Sequence, residues 1–325
     1  MNRDRFVNLG LVVGGLFVSL VLGELALRMV DYDYNPMAIT DGGLGDDRVE
    51  HLFNQSDFVS DPELIWRPRA GGIFNAAGFS GPEITKAKRR EEFRIFTIGD
   101  SNTLGWQDGT GWVADVRELL RRETSAITVV NAGVWGYSSH QGVARTRQVR
   151  PYRPDLVTIS FGSNDARRVG TADADFVGGL RDPRWSSFLS RWRLGQIVLF
   201  LRDALSGLGS GGPRARVAVE AYADNLRAMV VEARTAGSAV LLMTRPYVGT
   251  SAQPLWWKNF APAYNRATVA VADELDVPVI DLYTHFKDRD ELFADESHFN
   301  VTGHRLAAAL VIERLRPFLP PVDSS

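Results

Sequence analysis

The sequence contains no cysteine. That excludes a thiol nucleophile, a disulfide framework, a cysteine-ligated zinc and a lipidated amino-terminal cysteine. It leaves the compartment open, because a cysteine-free chain folds equally well in reducing and oxidising surroundings. Lysine is scarce, with four residues against 33 arginines, a bias that genomic base composition explains without a functional reason. Excess charge of either sign is missing too. A net charge of −2 and a pI near 6.2 give no basic surface to recruit nucleic acid. The five histidines lack metal-ligand spacing, and the single GxGxxG string, Gly207 to Gly212, does not join a strand to a helix as a phosphate cradle does, so neither a metal nor a cofactor is expected. No internal repeat or low-complexity tract is present. With 45% hydrophobic and 23% charged residues, the 325-residue chain can bury the core of one large domain or two small ones.

One long apolar run stands out. Val7 to Leu22 is interrupted only by Asn8, Ser19 and glycines, and the stretch Phe6 to Leu27 has the length a helix needs to cross a bilayer core of roughly 30 Å. It has no polar face, which argues against a buried amphipathic helix. Arg3 and Arg5 precede it and Asp31 and Asp33 follow it, so the positive-inside rule places the amino terminus in the cytoplasm and the rest of the chain outside. A signal peptide cleaved near Val21-Leu22-Gly23 is the rival reading. The run is long for such a peptide, and residues 1–30 are therefore expected to be a cytoplasmic stub and an uncleaved signal anchor. The protein is then a single-pass protein of the cytoplasmic (inner) membrane, with the rest of the chain on the periplasmic or extracellular side.

Residues 31–92 are rich in Asp, Gly, Pro and Asn without a sustained period, and are read as a connector that wraps the body, with Trp66, Phe74 and Phe79 available to dock on it. The basic run Lys86 to Arg90 reads as a solvated face. From Phe93 the pattern changes to short apolar runs alternating with helical periods, the mark of βαβ units. Strands are expected at Phe93–Ile98, Ile127–Asn131, Leu156–Phe161, Ala239–Met243 and Val279–Asp281. Helices are expected at Trp112–Arg122, Gln141–Val149, Val217–Ala236, Tyr264–Leu275 and Gly303–Leu315. Near-continuous apolar strands argue for a parallel sheet covered on both faces: an α/β fold, flavodoxin-like, a three-layer α/β/α sandwich with a five-stranded sheet. A lid-like insertion at about 166–216, containing Trp185, Trp192 and the glycine-rich Ser206–Gly212, interrupts the 93–325 domain.

In such sheets ligands bind beyond the carboxyl ends of the strands, so the residues there carry most information. The first strand is followed by Gly99-Asp100-Ser101-Asn102, where a glycine turn presents a serine at the start of a helix. The second is followed by Asn131 to Tyr137, in which Gly136 can bring a backbone N–H to a ligand. After the third comes Gly162-Ser163-Asn164-Asp165, with an amide donor in Asn164. Before the last helix comes Asp295-Glu296-Ser297-His298-Phe299-Asn300, where an Asp three residues before a His can fold back and orient its imidazole. Each string alone reads as an ordinary turn or cap. Together, at four sheet ends, they supply a nucleophile, a base, an orienting carboxylate and oxyanion donors. Asp281, at the end of the last strand, competes with Asp295 for the orienting role.

These four blocks resemble those of the SGNH, or GDSL-type, hydrolase superfamily, over residues 93–316. The resemblance implies Ser101 as nucleophile, His298 as general base and Asp295 as its partner. It implies an oxyanion hole formed by the Ser101 and Gly136 amides and the Asn164 side chain. Phe74 to Gly81 resembles the corresponding stretch of membrane-anchored bacterial members. Asn102 departs from the pattern, which often has leucine there. The family includes esterases, lipases, thioesterases, carbohydrate deacetylases and O-acetyltransferases of exported polysaccharides, so membership alone selects no substrate. The expected activity is a serine ester hydrolase of carboxylesterase or carbohydrate O-deacetylase type, working through an acyl-enzyme on a small ester or an acylated glycan. An O-acyltransferase acting on an exported polysaccharide and a non-catalytic binding or assembly factor are the alternatives. Arg167 and Arg168, which follow Asn164, and Trp256 and Trp257 are candidates for a substrate wall; the solvated face and the packed core are their plainer readings. No protein partner can be read from the sequence.

Overall fold

A computed structural model of the chain describes residues 3–30, 32, 58–61, 63–106, 110–169, 172–178, 188–189, 191–206, 214–248, 255–295 and 297–321. In chain order its elements are α1 (Arg3–Met29), β1 (Phe58–Asp61), β2 (Ile65–Pro68), β3 (Phe93–Gly99), α2 (Ser101–Leu104), α3 (Trp112–Glu123), β4 (Ile127–Asn131), α4 (Ser139–Val149), β5 (Leu156–Ser160), β6 (Arg168–Val169), α5 (Asp173–Gly178), α6 (Arg193–Ser206), β7 (Arg214–Ala215), α7 (Val219–Thr235), β8 (Ala239–Met243), α8 (Leu255–Leu275), β9 (Val279–Ile280), α9 (Leu282–Phe286) and α10 (Val301–Leu315). Two compact units form. One holds Met1–Arg67 and Asp175–Gly211, the other Pro68–Ala174 and Gly212–Ser325.

The larger unit is built on a parallel sheet of order β4-β3-β5-β8-β9, in which the second strand lies outside the first, as in flavodoxin-like sheets. Its strands are hydrophobic on both sides because both sides are covered. In β5 all five residues are buried, so neither face tolerates water. On one face Trp112, Val113, Val116 and Leu120 of α3 and Ala307, Ala308, Val311 and Leu315 of α10 pack with Ile95, Val129, Leu241 and Met243. Elsewhere α4 packs so tightly at Gly142 that a Cβ would stand 2.6 Å from Phe161 and 2.8 Å from Met229 of α7. Tyr222 of α7 and Tyr264 of α8 meet edge to face at 5.1 Å.

The expected strands appear within one residue of their bounds. Asp281 falls outside β9 because its carboxylate caps α9, accepting from the Thr284 amide. Helix α8 starts at Leu255, well before the expected Tyr264, and contains Pro262. One proline removes a single ladder hydrogen bond, which the rest of a 21-residue helix outweighs. The basic run before β3 is not simply solvated: Lys88 pairs with Asp155 at 2.5 Å and its side chain is only 15% exposed. The segment before β3 is held to the sheet. Ser80 donates its N–H to Asn131 at the end of β4, and Phe79 sits edge-on to Phe96 and Tyr152. The Arg145 guanidinium stacks 4.6 Å from the Phe79 ring and donates to the Gly78 carbonyl. The smaller unit contains α1, whose apolar residues from Val7 to Leu25 are largely exposed, and the β1–β2 hairpin.

Helices α3 and α10 are joined by a titratable contact. The first amides of a helix lack intrahelical acceptors, and that of Trp112 donates to Nδ1 of His304, 3.2 Å away. Burial, with Arg245 and His298 nearby, lowers the His304 pKa from 6.5 to about 4. Because the folded pKa lies below the unfolded one, neutral His304 contributes its full stability above about pH 6.5, and that contribution is lost as pH falls through 4. Thermal denaturation across pH 7 to 4 should therefore show a drop that is shallower in His304→Asn, whose amide oxygen can still accept from Trp112 but cannot ionise. Equal slopes in the two proteins would contradict a buried neutral imidazole.

Candidate active site

The site is assembled at the carboxyl ends of β3, β4 and β5 and on the loop before α10. At the end of β3, a Cβ on Gly99 would stand 2.1 Å from the Thr103 hydroxyl and 2.7 Å from the Ser160 carbonyl. Only glycine lets α2 fold back so closely over the strand. Asp100 caps that turn by accepting from the Asn102 amide at 2.9 Å, and its other oxygen receives Nε of buried Arg245 at 2.9 Å. Ser101 then heads α2, partly exposed, at the strand end.

Ser101 Oγ lies 2.7 Å from His298 Nε2, and His298 Nδ1 lies 2.7 Å from Asp295 Oδ2. The second Asp295 oxygen accepts the amides of Ser297 (2.9 Å) and His298 (2.8 Å), so one short loop holds both carboxylate and imidazole. Burial acts to raise the Asp295 pKa, but the hydrogen bonds from the His298 ring and the two amides outweigh it and keep the carboxylate ionised well below its ordinary range. An ionised Asp295 assigns the proton to His298 Nδ1 and leaves the Nε2 lone pair facing the serine hydroxyl. The competing Asp281 is engaged elsewhere, by Thr244 and Thr284. His298 and Asp295 side chains are 37% and 44% exposed, so the assembly opens to water.

Gly136 has φ +73°, a backbone conformation that a β-carbon disfavours. Among the described residues neither its amide nor that of Ser101 has a protein acceptor. Asn164 donates one Nδ2 hydrogen to the Tyr137 carbonyl at 3.0 Å, and the amide carries a second. The next residue, Asp165, is fully buried. Burial pushes its pKa up to about 7 against the hydrogen bonds it accepts from the Ser139 hydroxyl and amide. Because Ser139 begins α4, this contact fixes the Asn164 turn to the segment that carries Gly136.

Several positioning residues carry no signature in the sequence. Arg216 donates to the Gly136 carbonyl at 2.5 Å, pairs with Asp173 at 2.7 Å and reaches Gln141 at 2.8 Å, all within a buried cluster. It holds the peptide that follows the Gly136 amide. Asn102 spans from α2 to the histidine loop: its amide donates to the Ser297 carbonyl at 2.7 Å and its oxygen accepts the Phe299 amide at 3.1 Å. The residue that departs from the family pattern is thus structural, and it joins the serine segment to the base. Arg245 donates to the same Ser297 carbonyl at 2.9 Å. Trp106 places its ring 6.4 Å from that of His298 and is 38% exposed.

The four residues named for a substrate wall lie on two segments, 167–168 and 256–257. Arg167 and Arg168 form the neck of the insertion, where β6 pairs antiparallel with β7 and the Arg167 carbonyl accepts the Arg216 amide. Trp256 and Trp257 belong to the first turn of α8, but their side chains lie outside the described residues, as does Trp185. No group of three or more acidic, histidine or cysteine residues able to hold a metal occurs among the described residues.

A GDSL esterase/lipase of Arabidopsis thaliana is 24% identical over 249 residues, covering 69% of this chain and 86% of its own. Among solved structures, the lipase/acylhydrolase from Enterococcus faecalis matches 71% of this chain and 98% of its own at 24% identity and a TM-score of 0.51, a likeness of fold. The acetylxylan esterase Axe2 from Geobacillus stearothermophilus covers 74% of this chain and 100% of its own at 24% identity, with a TM-score of 0.49. The family model of GDSL-like lipases and acylhydrolases matches residues 97–306, a span that runs from β3 through the histidine loop into α10. With that span taking in all four strand-end blocks, the chain belongs to the GDSL-like lipase/acylhydrolase family, a family of ester hydrolases.

Proposed function

We propose that this family member cleaves esters by nucleophilic catalysis at Ser101, on the outer side of the cytoplasmic membrane. The observation that carries the reading is the continuous 2.7 Å path from Ser101 Oγ through His298 to Asp295. Ser101 Oγ attacks the ester carbonyl carbon as His298 Nε2 takes its proton, and Asp295 stabilises the imidazolium that forms. The resulting oxyanion lies against the amides of Ser101 and Gly136 and the Asn164 side chain. Collapse breaks the bond to the alkoxy oxygen, which leaves as the alcohol with the proton from His298. Water, deprotonated by the same nitrogen, then releases the acid and regenerates Ser101.

Exposure of His298 and Asp295 favours water over a sugar hydroxyl as the second nucleophile, since an acyl-transfer enzyme must keep water from its acyl-enzyme. Hydrolysis of a small ester or of an acyl group on a glycan is therefore preferred to O-acyl transfer. A purely binding role leaves unexplained why serine, base and carboxylate are aligned for proton transfer. In this reading residues 1–30 are the membrane anchor, 31–92 connect it to the body, and 93–325 form the hydrolase with its insertion at about 166–216. The arginines before α1 and the aspartates after it favour an amino terminus in the cytoplasm.

Ser101→Ala and His298→Ala should each lower kcat for p-nitrophenyl acetate by about four to six orders of magnitude, and retention of more than a tenth of the activity in either would overturn the mechanism. Asn164→Ala should lose about 100- to 1000-fold in kcat with little change in KM; unchanged turnover would remove Asn164 from the oxyanion hole. Arg216→Met leaves Asp173 buried and unpaired, at a cost of about 3–5 kcal/mol in stability. Adding Asp173→Asn to it should recover much of that stability without restoring kcat, because the Gly136 carbonyl has still lost its Arg216 donor. Recovery of both would reduce Arg216 to a stabilising role.

A further inference from the structure

The smaller unit contains a contact that the hydrolase mechanism does not use. Glu24, in the last third of α1, is buried, pairs through one oxygen with Arg28 and accepts the Leu194 amide on the other at 3.0 Å. It thereby satisfies a first-turn donor of α6, which comes from the insertion far along the chain. Beside it Gly23 leaves just enough room for Leu194, whose methyl carbons are 3.5 and 3.7 Å from where a Cβ would stand. Further along, buried Leu199 packs with Tyr32 and Leu27. The order of these contacts sets α6 running in the same direction as α1, its start beside residues 23–24 and its later turns beside Tyr32.

That register fixes a depth. The apolar span is Val7–Met29, and Glu24 is five residues from its end, or about 7–8 Å along a helix. The start of α6 therefore stands below the outer boundary of the span, at the level where lipid chains meet headgroups. The exposed residues of α6 and of the segment before it suit that level. Phe188 and Trp192, 51% and 48% exposed with rings 6.4 Å apart, precede its first turn, and Val198 and Leu201 continue the exposed apolar edge. Aromatic side chains with neighbouring arginines are the residues that settle at a membrane interface, and Arg191 flanks the pair.

We propose that the segment from Phe188 to Leu201 docks in the lipid interface of the same bilayer that α1 spans, on the side where α1 ends. The inference rests on reading α1 as an uncleaved anchor, and it gives that anchor a second role, in which Glu24 and Gly23 seat the insertion at the membrane. The ester hydrolase therefore carries a lipid-docked insertion.

The absence of cysteine makes any introduced cysteine unique. Full-length protein in phosphatidylcholine–phosphatidylglycerol nanodiscs would carry a nitroxide at Leu16→Cys, Phe188→Cys, Trp192→Cys, Val198→Cys or Val231→Cys in turn. Val231, 58% exposed on α7 of the larger unit, is the aqueous reference, and Val198→Cys leaves both aromatic rings in place. Power saturation should give oxygen-over-nickel accessibility highest at 16, intermediate at 188, 192 and 198, and lowest at 231. Values at 188, 192 and 198 equal to that at 231, with 16 still in the bilayer, overturn the docking and leave the anchor standing. An aqueous value at 16 overturns both. Dipolar broadening between labels at 192 would mean that a second copy covers this surface in place of lipid, and would equally overturn the proposal.

Discussion

Ser101 and His298 are 197 residues apart in sequence and 2.7 Å apart in space, and closing that gap is the constraint on which the site depends. A parallel sheet provides the means. Its strands end on the same side, so the turns after β3, β4 and β5 converge with the loop before α10. The sheet must be dry on both faces to exist, and the α3–α10 layer that dries one of them also brings the histidine loop beside the serine segment. Folding and catalysis therefore draw on one set of contacts.

The polar residues under the site tie these segments to one another. Asp100 and Arg245, both buried, connect the serine turn to the Ser297 carbonyl, while Asn102 joins the same turn to Ser297 and Phe299. Arg216 and Asp173 do the corresponding work beneath Gly136. Buried charge is expensive unless paired and fully hydrogen-bonded. Here the ion pairs lie where backbone is held in place, at the Ser297 and Gly136 carbonyls. Arg216 also stands at the neck of the insertion, next to Ala215 of β7, and so ties that neck to the Gly136 carbonyl.

What was legible in the sequence follows from range. The βαβ rhythm, the apolar span and the Asp295–His298 turn are local patterns, fixed by periodicity or by a three-residue spacing, and the structure forms each of them. Arg216, Arg245 and Trp106 have meaning only through partners brought by the fold, and an arginine or tryptophan in a loop carries no mark of such a partner. Asn102 was visible as a departure from the family pattern, but its two hydrogen bonds to a loop nearly two hundred residues away were not. The same limit explains Lys88, which reads as one residue in a charged run until Asp155 is placed beside it, and Glu24, which reads as a flaw in an apolar helix until Leu194 arrives to use it.

The central claim is that Ser101 is a nucleophile activated by His298. It is tested most directly by intact-protein mass after exposure to a fluorophosphonate. Native protein should gain one phosphonyl group stoichiometrically, with peptide mapping to Ser101, and Ser101→Ala should gain none. An unmodified native protein, or a label on another residue that persists in Ser101→Ala, would contradict it.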